Sequence, residues 1–496
     1  DALGAMPPGG LPEAFLDGGE DPLGFVLVRF ARGRGPFTTA EAATRYGLES
    51  ARLEEALSAL ERAARLVRGE LRPGGTEREW CDPDVLRRLR RVTLARLRKE
   101  VEPVEPEAFA RFLPAWQNVD RRTGLREALV PLQGLALPAS LWERDVLPRR
   151  VPAYQPAQLD QLCATGELVW VGAGLERVAV FYREDAPLLG RPSAMPPPEG
   201  EPAERLRAAL SSSALFWPDL VEATGLEAEI ALPTLWELVW AGEVTNDSWQ
   251  PLRAARRYAA PRPAAPLPRR RFARARSHAP SPTQGRWSLA GRLFPGEPDI
   301  RALAELMLER QGIVTRDGAR AEGMPGGYAP VYGELRALET LGVCRRGYFV
   351  EGLGGAQFAL PGAVERVREP RDEEGEAALV LAASDPAQAY GAALPWPKRA
   401  GGRASRVVGA LVVTLGGKPA LFVERGGRSI IPLREPGDEW LRPALDALVA
   451  HARRTGMKRL AVERFDGEPV TESDVLALLG EAGFVVGPRR AVLRAS

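Results

Sequence analysis

A chain of 496 residues that is 45% hydrophobic and 27% charged is neither disordered nor fibrous, and at about 100–200 residues per domain it holds roughly three to five domains. No apolar run approaches the ~20 residues that cross a bilayer, and three scattered cysteines (Cys81, Cys163, Cys344) with two histidines (His278, His451) argue against a disulfide framework, a metal centre or a His-based triad. Net charge is only +2, yet every basic residue except Lys99, Lys398, Lys418 and Lys458 is arginine, the side chain suited to phosphate forks and base stacking.

Residues 1–20 are Gly/Pro-rich, carry no signal-peptide pattern and read as a linker; a start without Met reads as a piece of a longer protein. Residues 21–75 read as a first winged helix. Leu23, Val26, Leu27 and Phe30 recur at helical spacing. GPFTTAEAATRYGL gives a second helix, with Thr38 or Thr39 as N-cap and Glu41 in its first turn. ARLEEALSALERAARL gives a third, and LVRGELRPG a short hairpin; three helices and a hairpin are the winged-helix plan. Residues 76–102 hold a connecting helix, apolar at Val85, Leu86, Leu89, Val92, Leu97 and Val101 and arginine-rich on its other faces. Such a helix is either a solvated bridge or a phosphate-tracking face.

The plan then repeats. Residues 103–190 are a helical block ending in LDQLCATG, ELVWVG and RVAVFY, again helix to hairpin. Residues 191–260 follow with AERLRAALSSSALFWPDLVEATGL and ALPTLWELVWAGEVTNDSW. Residues 261–286 read as a basic Pro/Arg-rich linker. Residues 287–370 carry DIRALAELMLERQGIVT, then RDGARAEGMPGGYAPVYGELRALETLG, then RRGYFVEGLGGAQFALP as the wing. Residues 371–496 differ: EAALVLAASDP, ASRVVGALVVTLGGKPALFVERGGRSIIPL and GMKRLAVERFDG read as strands, WLRPALDALVAHARRTG and TESDVLALLGEAGF as helices. The expected fold class is α+β multidomain, tandem winged-helix modules followed by a C-terminal α/β, β-rich module.

No phosphate-binding loop is present: GGKPA at 416–420 lacks the Walker spacing and hydroxyl, and the glycines of GLGGAQ at 352–357 suit a hairpin turn. Neither an ATPase nor a bound cofactor or metal is expected in this segment. The sharpest electrostatic feature is 248–296, with eleven arginines and no Asp or Glu, including Arg269, Arg270, Arg271, Arg274 and Arg276. It reads as a cationic arm that tracks phosphates, against the bland reading of a spacer in an arginine-rich chain. In the last unit, Tyr328, Tyr332 and Arg336 share one face of the recognition helix, with Arg345, Arg346 and Tyr348 on the wing beside it. One of the two tyrosines is expected in the core. Trp116, Gln117, Gln133, Trp142, Glu143 and Asp145 cluster in the second block; the tryptophans read as core, while Gln117, Gln133 or Asp145 could position a water for glycosidic cleavage of a flipped base.

The strings REWCDPDVLRRLRR, FARFLPAWQNV, LQGLALPASLWERDVLPRRV, GELVWVG, GMPGGYAPVYGELRALE, RRGYFVEGLGGAQFALPGAVERVR, ASDPAQAYGAALPWP and ALFVERGGR resemble the C-terminal region of the bacterial large helicase-related (Lhr) family. The resemblance covers nearly the whole chain. It implies the C-terminal part of a superfamily 2 DNA-repair helicase whose ATPase motifs lie upstream. It also implies winged-helix modules similar to those of AlkZ-type DNA glycosylases, the 103–190 block included, and, as in some long Lhr proteins, uracil-DNA glycosylase activity. The chain departs from the AlkZ type in having no clear Gln-x-Gln or Gln-x-Asp motif: QPAQ at 155–158 has two spacer residues, LQG at 132–134 a single Gln, and the final RRAVLRAS no carboxylate.

The leading expectation is therefore a binding region that engages DNA, single-stranded or damaged, or RNA, for an upstream helicase core, in a cytoplasmic, nucleoid-associated setting away from membranes. The alternatives are a DNA glycosylase acting on uracil or another damaged base, and a scaffold forming homo-oligomers.

Overall fold

The structure, a computed structural model, describes residues 20–72, 77–99, 102–192, 194–254, 280–369, 377–398, 402–435 and 438–494. It divides into two units, Asp1–Glu102 and Pro103–Ser496.

In the first unit, α1 (Pro22–Arg32) is capped by Asp21, whose carboxylate accepts from the Gly24 N–H. Thr38 is the N-cap of α2 (Thr39–Tyr46), in a full capping box with Glu41. α3 (Ser50–Arg62) buries Leu53, Leu57 and Leu60, and β1 (Val67–Gly69) pairs with β2 (Glu79–Cys81). Phe37 bridges Trp80, which adds a third strand position to the wing. The first winged helix thus closes at Cys81, beyond the boundary at 75 read from the sequence. Its second wing strand, EWC, is three buried residues and too short to show alternation. α4 (Pro83–Lys99) follows; Leu89 and Val92 on it are exposed.

The second unit opens with α5 (Pro106–Trp116) and α6 (Leu125–Leu129). β3 (Leu137–Pro138) precedes α7 (Ala139–Leu141), which runs into a π-turn at Trp142–Val146, then α8 (Pro156–Ala164), β4 (Leu168–Gly172) and β5 (Arg177–Tyr182). The strands lie in the order β3-β5-β4. After the short α9 (Ala186–Leu189), the plan recurs as α10 (Glu201–Leu210), β6 (Leu215–Phe216), α11 (Trp217–Thr224), α12 (Ala228–Trp240), β7 (Val244–Asn246), the short α13 (Gln250–Arg253) and β8 (Arg286–Leu289), in the order β6-β8-β7. It recurs once more as α14 (Ile300–Gln311), β9 (Ile313–Val314), α15 (Arg316–Ala321), α16 (Tyr328–Thr340), β10 (Arg345–Gly347) and β11 (Gln357–Ala359), in the order β10-β11-β9. In each sheet the last strand sits between the first and the second, the winged-helix topology.

One boundary changes the reading of the basic segment. The third winged helix does not end at 260, and 261–286 does not simply link it to the fourth. β8 pairs in register with β7, Val244 opposite Leu289 and Asn246 opposite Trp287, so the long basic stretch is inserted between the two strands of one wing. Trp287 is fully buried against Trp236, which fixes β8 in this core. A strand of four residues behind a long insertion leaves no local signal of its partner.

The second and third winged helices share one core, which runs from Leu129 through Trp170 and Leu235 to Trp287. Gly172 permits it: a Cβ there would lie 1.7 Å from the Val239 carbonyl oxygen, so strand β4 and helix α12 meet backbone to backbone. Gly312 plays the same part at the end of α14. Its φ is +65°, and a Cβ would fall 2.7 Å from Phe112 of α5. That glycine stops the helix one turn short of the sequence pattern and frees Ile313 and Val314 to form β9.

α17 (Ala363–Val367) leads to the C-terminal module. β12 (Ala378–Ala382), β13 (Leu411–Leu415), β14 (Lys418–Val423) and β15 (Ser429–Pro432) form an antiparallel run; α18 (Asp438–Arg454) packs on it. β16 (Leu460–Val462) opens a second sheet, while β17 (Arg464–Phe465) and β18 (Glu468–Pro469) complete the first as β12-β13-β14-β15-β17-β18. After α19 (Val475–Glu481), β19 (Val485–Val486) and β20 (Ala491–Leu493) give the second sheet, β16-β20-β19. The α/β module expected over 371–496 is thus two sheets sharing one helix-covered core. Among the described residues no helix is long and apolar enough to cross a membrane.

Candidate nucleic-acid interface

The fourth winged helix is built from its core outward. Val331, Leu335 and Leu338 of α16 are buried with Met307, Val314 and Phe358, which leaves Ala329, Gly333, Arg336, Ala337 and Thr340 facing solvent. Tyr328 and Tyr332 are both half-buried and pack on that core, their rings 5.8 Å apart. Tyr332 meets Phe358 edge-on at 5.5 Å, and the Tyr328 hydroxyl donates to the Ala356 carbonyl at 3.4 Å. Burial pushes the Tyr328 phenol up to about 12. The pair ties helix to wing, and the free aromatic is Tyr348, 61% exposed.

The two wing arginines part company. Arg346 points inward, donating to the Tyr332 hydroxyl at 3.4 Å and pairing with Glu339 at 3.3 Å, so its charge is largely spent. Arg345 points outward, with only the exposed Glu365 at 3.9 Å. The wing tip is pinned by the fully buried Gln357, whose side chain accepts from the Phe349 and Val350 N–H groups and donates to the Val350 carbonyl. Arg336, Arg345 and Tyr348 are therefore the candidates this unit presents to solvent. Arg269, Arg270, Arg271, Arg274 and Arg276 lie outside the described residues.

The amide and carboxylate candidates of the second block are engaged by the fold. Gln117 accepts from Arg150 at 2.9 Å and donates to the carbonyls of Arg310 and Pro386. Gln133 accepts from the Tyr182 N–H at 2.7 Å and donates to Asp185 at 2.8 Å. Asp145 pairs with Arg144, and burial raises its carboxyl above the usual range. Trp142 is fully buried; the half-buried Trp116 donates to the Glu309 carbonyl at 2.7 Å. Glu143 holds Arg253 and the Tyr154 hydroxyl.

What the sequence did not reveal is a buried polar node. Arg150 and Asp385, both 1% exposed, form a two-pronged ion pair at 2.8 and 3.2 Å, joining the second winged helix to the C-terminal module. Arg310 of α14 donates to the Pro131 and Gln133 carbonyls and pairs with Glu322. Beside this node lies a cavity of about 330 Å³, walled by Leu135–Pro138, by Gln311 and Glu322, and by the loop Ser384–Ala393. Two amide atoms of its lining, Gln311 Oε1 and Gln388 Nε2, are buried with no hydrogen-bond partner among the described residues, one an acceptor and one a donor. Arg406 also lines it and donates to the carbonyls of Asp385, Gln388 and Tyr390; burial brings its guanidinium down to about 10. Asp385 and Gln388 stand in an Ala/Pro-rich stretch, ASDPAQAYGAALP, where polar residues are few; that contrast was the available signal.

Two family models match the chain: the large helicase-related protein winged-helix domains, third over residues 104–182 and fourth over 295–379. The chain carries Lhr winged-helix domains. A protein named "Lhr helicase/probable uracil glycosylase" from Mycolicibacterium smegmatis is 41% identical over 96% of this chain and 33% of its own length. One named "Lhr helicase/uracil glycosylase" from Escherichia coli is 32% identical over 99% of this chain and 35% of its own length. The chain thus spans about a third of the curated relatives it matches. The solved DNA glycosylase AlkZ of Streptomyces sahachiroi aligns at TM-score 0.42 and 16% identity over 73% of this chain and all of its own, a likeness too loose to assign chemistry.

Proposed function

We propose that this chain is the nucleic-acid-binding C-terminal region of an Lhr-type DNA-repair helicase, working beside an upstream helicase core and holding no ATPase site of its own. The observation that carries the reading is the solvent face of the fourth winged helix. Arg336, Arg345 and Tyr348 lie exposed there on the helix and wing, two cations and an aromatic ring, while Arg346 is turned inward to Tyr332 and Glu339. The insertion of the arginine-rich stretch within the wing of the third unit supports it, since both of its ends are anchored at one sheet. DNA, single-stranded or damaged, is the expected ligand, in the cytoplasm at the nucleoid. The test is to titrate the purified chain with labelled single-stranded DNA, duplex DNA and RNA at several salt concentrations. Tight binding with a steep salt slope supports the reading, and salt-insensitive, weak binding by a stable oligomer overturns it.

A second reading, removal of uracil or another damaged base, is favoured by one observation: the unpartnered donor and acceptor of Gln388 and Gln311 in the cavity at the polar node. An extruded base offers complementary groups on its Watson–Crick edge. Glu322, held by Arg310 and Gln311, is the carboxylate lining that cavity. Alkali treatment of uracil-containing single strands reveals abasic sites. Breaks at the uracil that Glu322→Gln abolishes while binding persists support this reading, and their absence in the wild type removes it.

A further inference from the structure

The second sheet of the C-terminal module has two unlike faces. Leu460 and Val462 of β16 and Ala491 and Leu493 of β20 are buried in the core beneath α18 and α19. Alternation sends their neighbours to the other face: Arg459, Ala461 and Glu463 on one strand, Arg490, Val492 and Arg494 on the next. The register opposes Leu460 to Leu493, and carried one residue past the strand ends it sets Arg459 on the same side as Arg494. Like charges in that position destabilise a sheet unless something neutralises them. Arg459, Arg489, Arg490 and Arg494 are all exposed, and none forms an ion pair among the described residues. They rim an open cleft of about 920 Å³ lined also by Val492 and Val485, the latter 71% exposed, with Glu463 as its single carboxylate among the described residues.

We propose that this face binds the backbone phosphates of a single nucleic-acid strand, which gives the C-terminal module a role beyond support for the winged helices. The inference rests on the nucleic-acid reading above. Four guanidinium groups with no ion pair among the described residues, around an aliphatic surface, match a ligand that brings both phosphates and apolar sugar or base surface. A duplex brings the phosphates alone. Arg459 and Arg494 are then an anion site held at a cost to the free protein.

The test uses the full chain and a fluorescent single-stranded oligothymidylate. Arg459→Gln with Arg494→Gln is expected to weaken binding and to reduce the salt slope by about 1.4, two single-strand phosphate contacts' worth. Melting of the free protein should stay level or rise, because a like-charge pair has been removed. Arg205→Gln, at a site paired with Glu201, is the control and should leave the slope unchanged. An unchanged slope and affinity in the double variant overturn the proposal. If that variant melts early, Arg489→Gln with Arg490→Gln, on the turn outside the strands, decides in its place: a shallower slope supports and an unchanged one overturns. An equal loss on duplex DNA overturns the single-strand assignment. Failure of the wild type to bind any nucleic acid overturns the underlying reading instead.

Discussion

The third and fourth winged helices have one topology and opposite uses for the same helix. In the third, α12 buries Leu232, Leu235, Trp236, Leu238, Val239 and Trp240, and the full exposure left to it falls on Glu229, Ile230 and Glu237. In the fourth, α16 buries one narrow stripe and keeps Arg336 and a run of small residues in solvent. A helix apolar nearly all round belongs in a core, and acidic remnants repel phosphate. The winged-helix plan therefore does not specify nucleic-acid binding by itself. What decides is whether the third helix has been enclosed by a neighbouring module, as β4 encloses α12 across Gly172.

The largest effect that would break this comparison is in the enclosed helix. Trp236→Ala removes a fully buried ring in contact with Trp240 and Trp287, and should destabilise the second unit by about 3–5 kcal/mol, seen as a lower urea midpoint. Arg336→Ala on the open helix should shift that midpoint by no more than about 0.5 kcal/mol. Equal losses would mean that α16 is enclosed as well.

A pH effect comes next. His451 of α18 is buried facing Arg149, Arg454 and Asp120; burial, then the two arginines, lowers its imidazole to about 4. Its folded value lies below the unfolded one of about 6.5, so the unfolded state takes up the proton first. Stability is retained above pH ~6.5 and lost as pH falls toward 4, by up to about 3 kcal/mol. His451→Gln should flatten the urea midpoint between pH 7 and 5. A wild-type midpoint that does not move over that interval would contradict the buried neutral imidazole.

How much of this was legible in the sequence follows from the range of the interactions involved. Thr38 with Glu41, the turn glycines of the last wing and the repeated helix-to-hairpin plan are local, and the residues announce them. Pairing of β7 with β8 across the basic insertion is not local, and no stretch of four residues names its distant partner. The same holds at the site. Tyr348 and Arg345 are exposed on the wing, but nothing in RRGY says that Arg346 turns inward to Glu339. Gln117 and Gln133 looked available because their partners, Arg150 and Tyr182, come from elsewhere in the fold.

Binding tests sharpen the comparison at smaller scale. Tyr348→Ala should cost about 1–3 kcal/mol in single-strand affinity if the ring stacks on a base, with the urea midpoint unchanged, whereas Glu237→Gln on α12 should leave affinity where it is. A loss from Glu237→Gln equal to that from Tyr348→Ala would place nucleic acid on the enclosed helix and erase the difference between α12 and α16.

The smallest effect separates the two wing arginines. Arg345 faces solvent with a distant, exposed Glu365, a pair worth little. Arg345→Gln should therefore leave stability alone and make the single-strand salt slope shallower by about 0.7, one phosphate contact. Arg346 is held between Tyr332 and Glu339, so Arg346→Gln should do the reverse: a lower urea midpoint, because the contacts of Arg346 with Tyr332 and Glu339 are lost, and a slope close to the wild type. Two adjacent arginines on one short strand would then differ in kind, because the pleat sends one to the ligand and the other to the helix behind it.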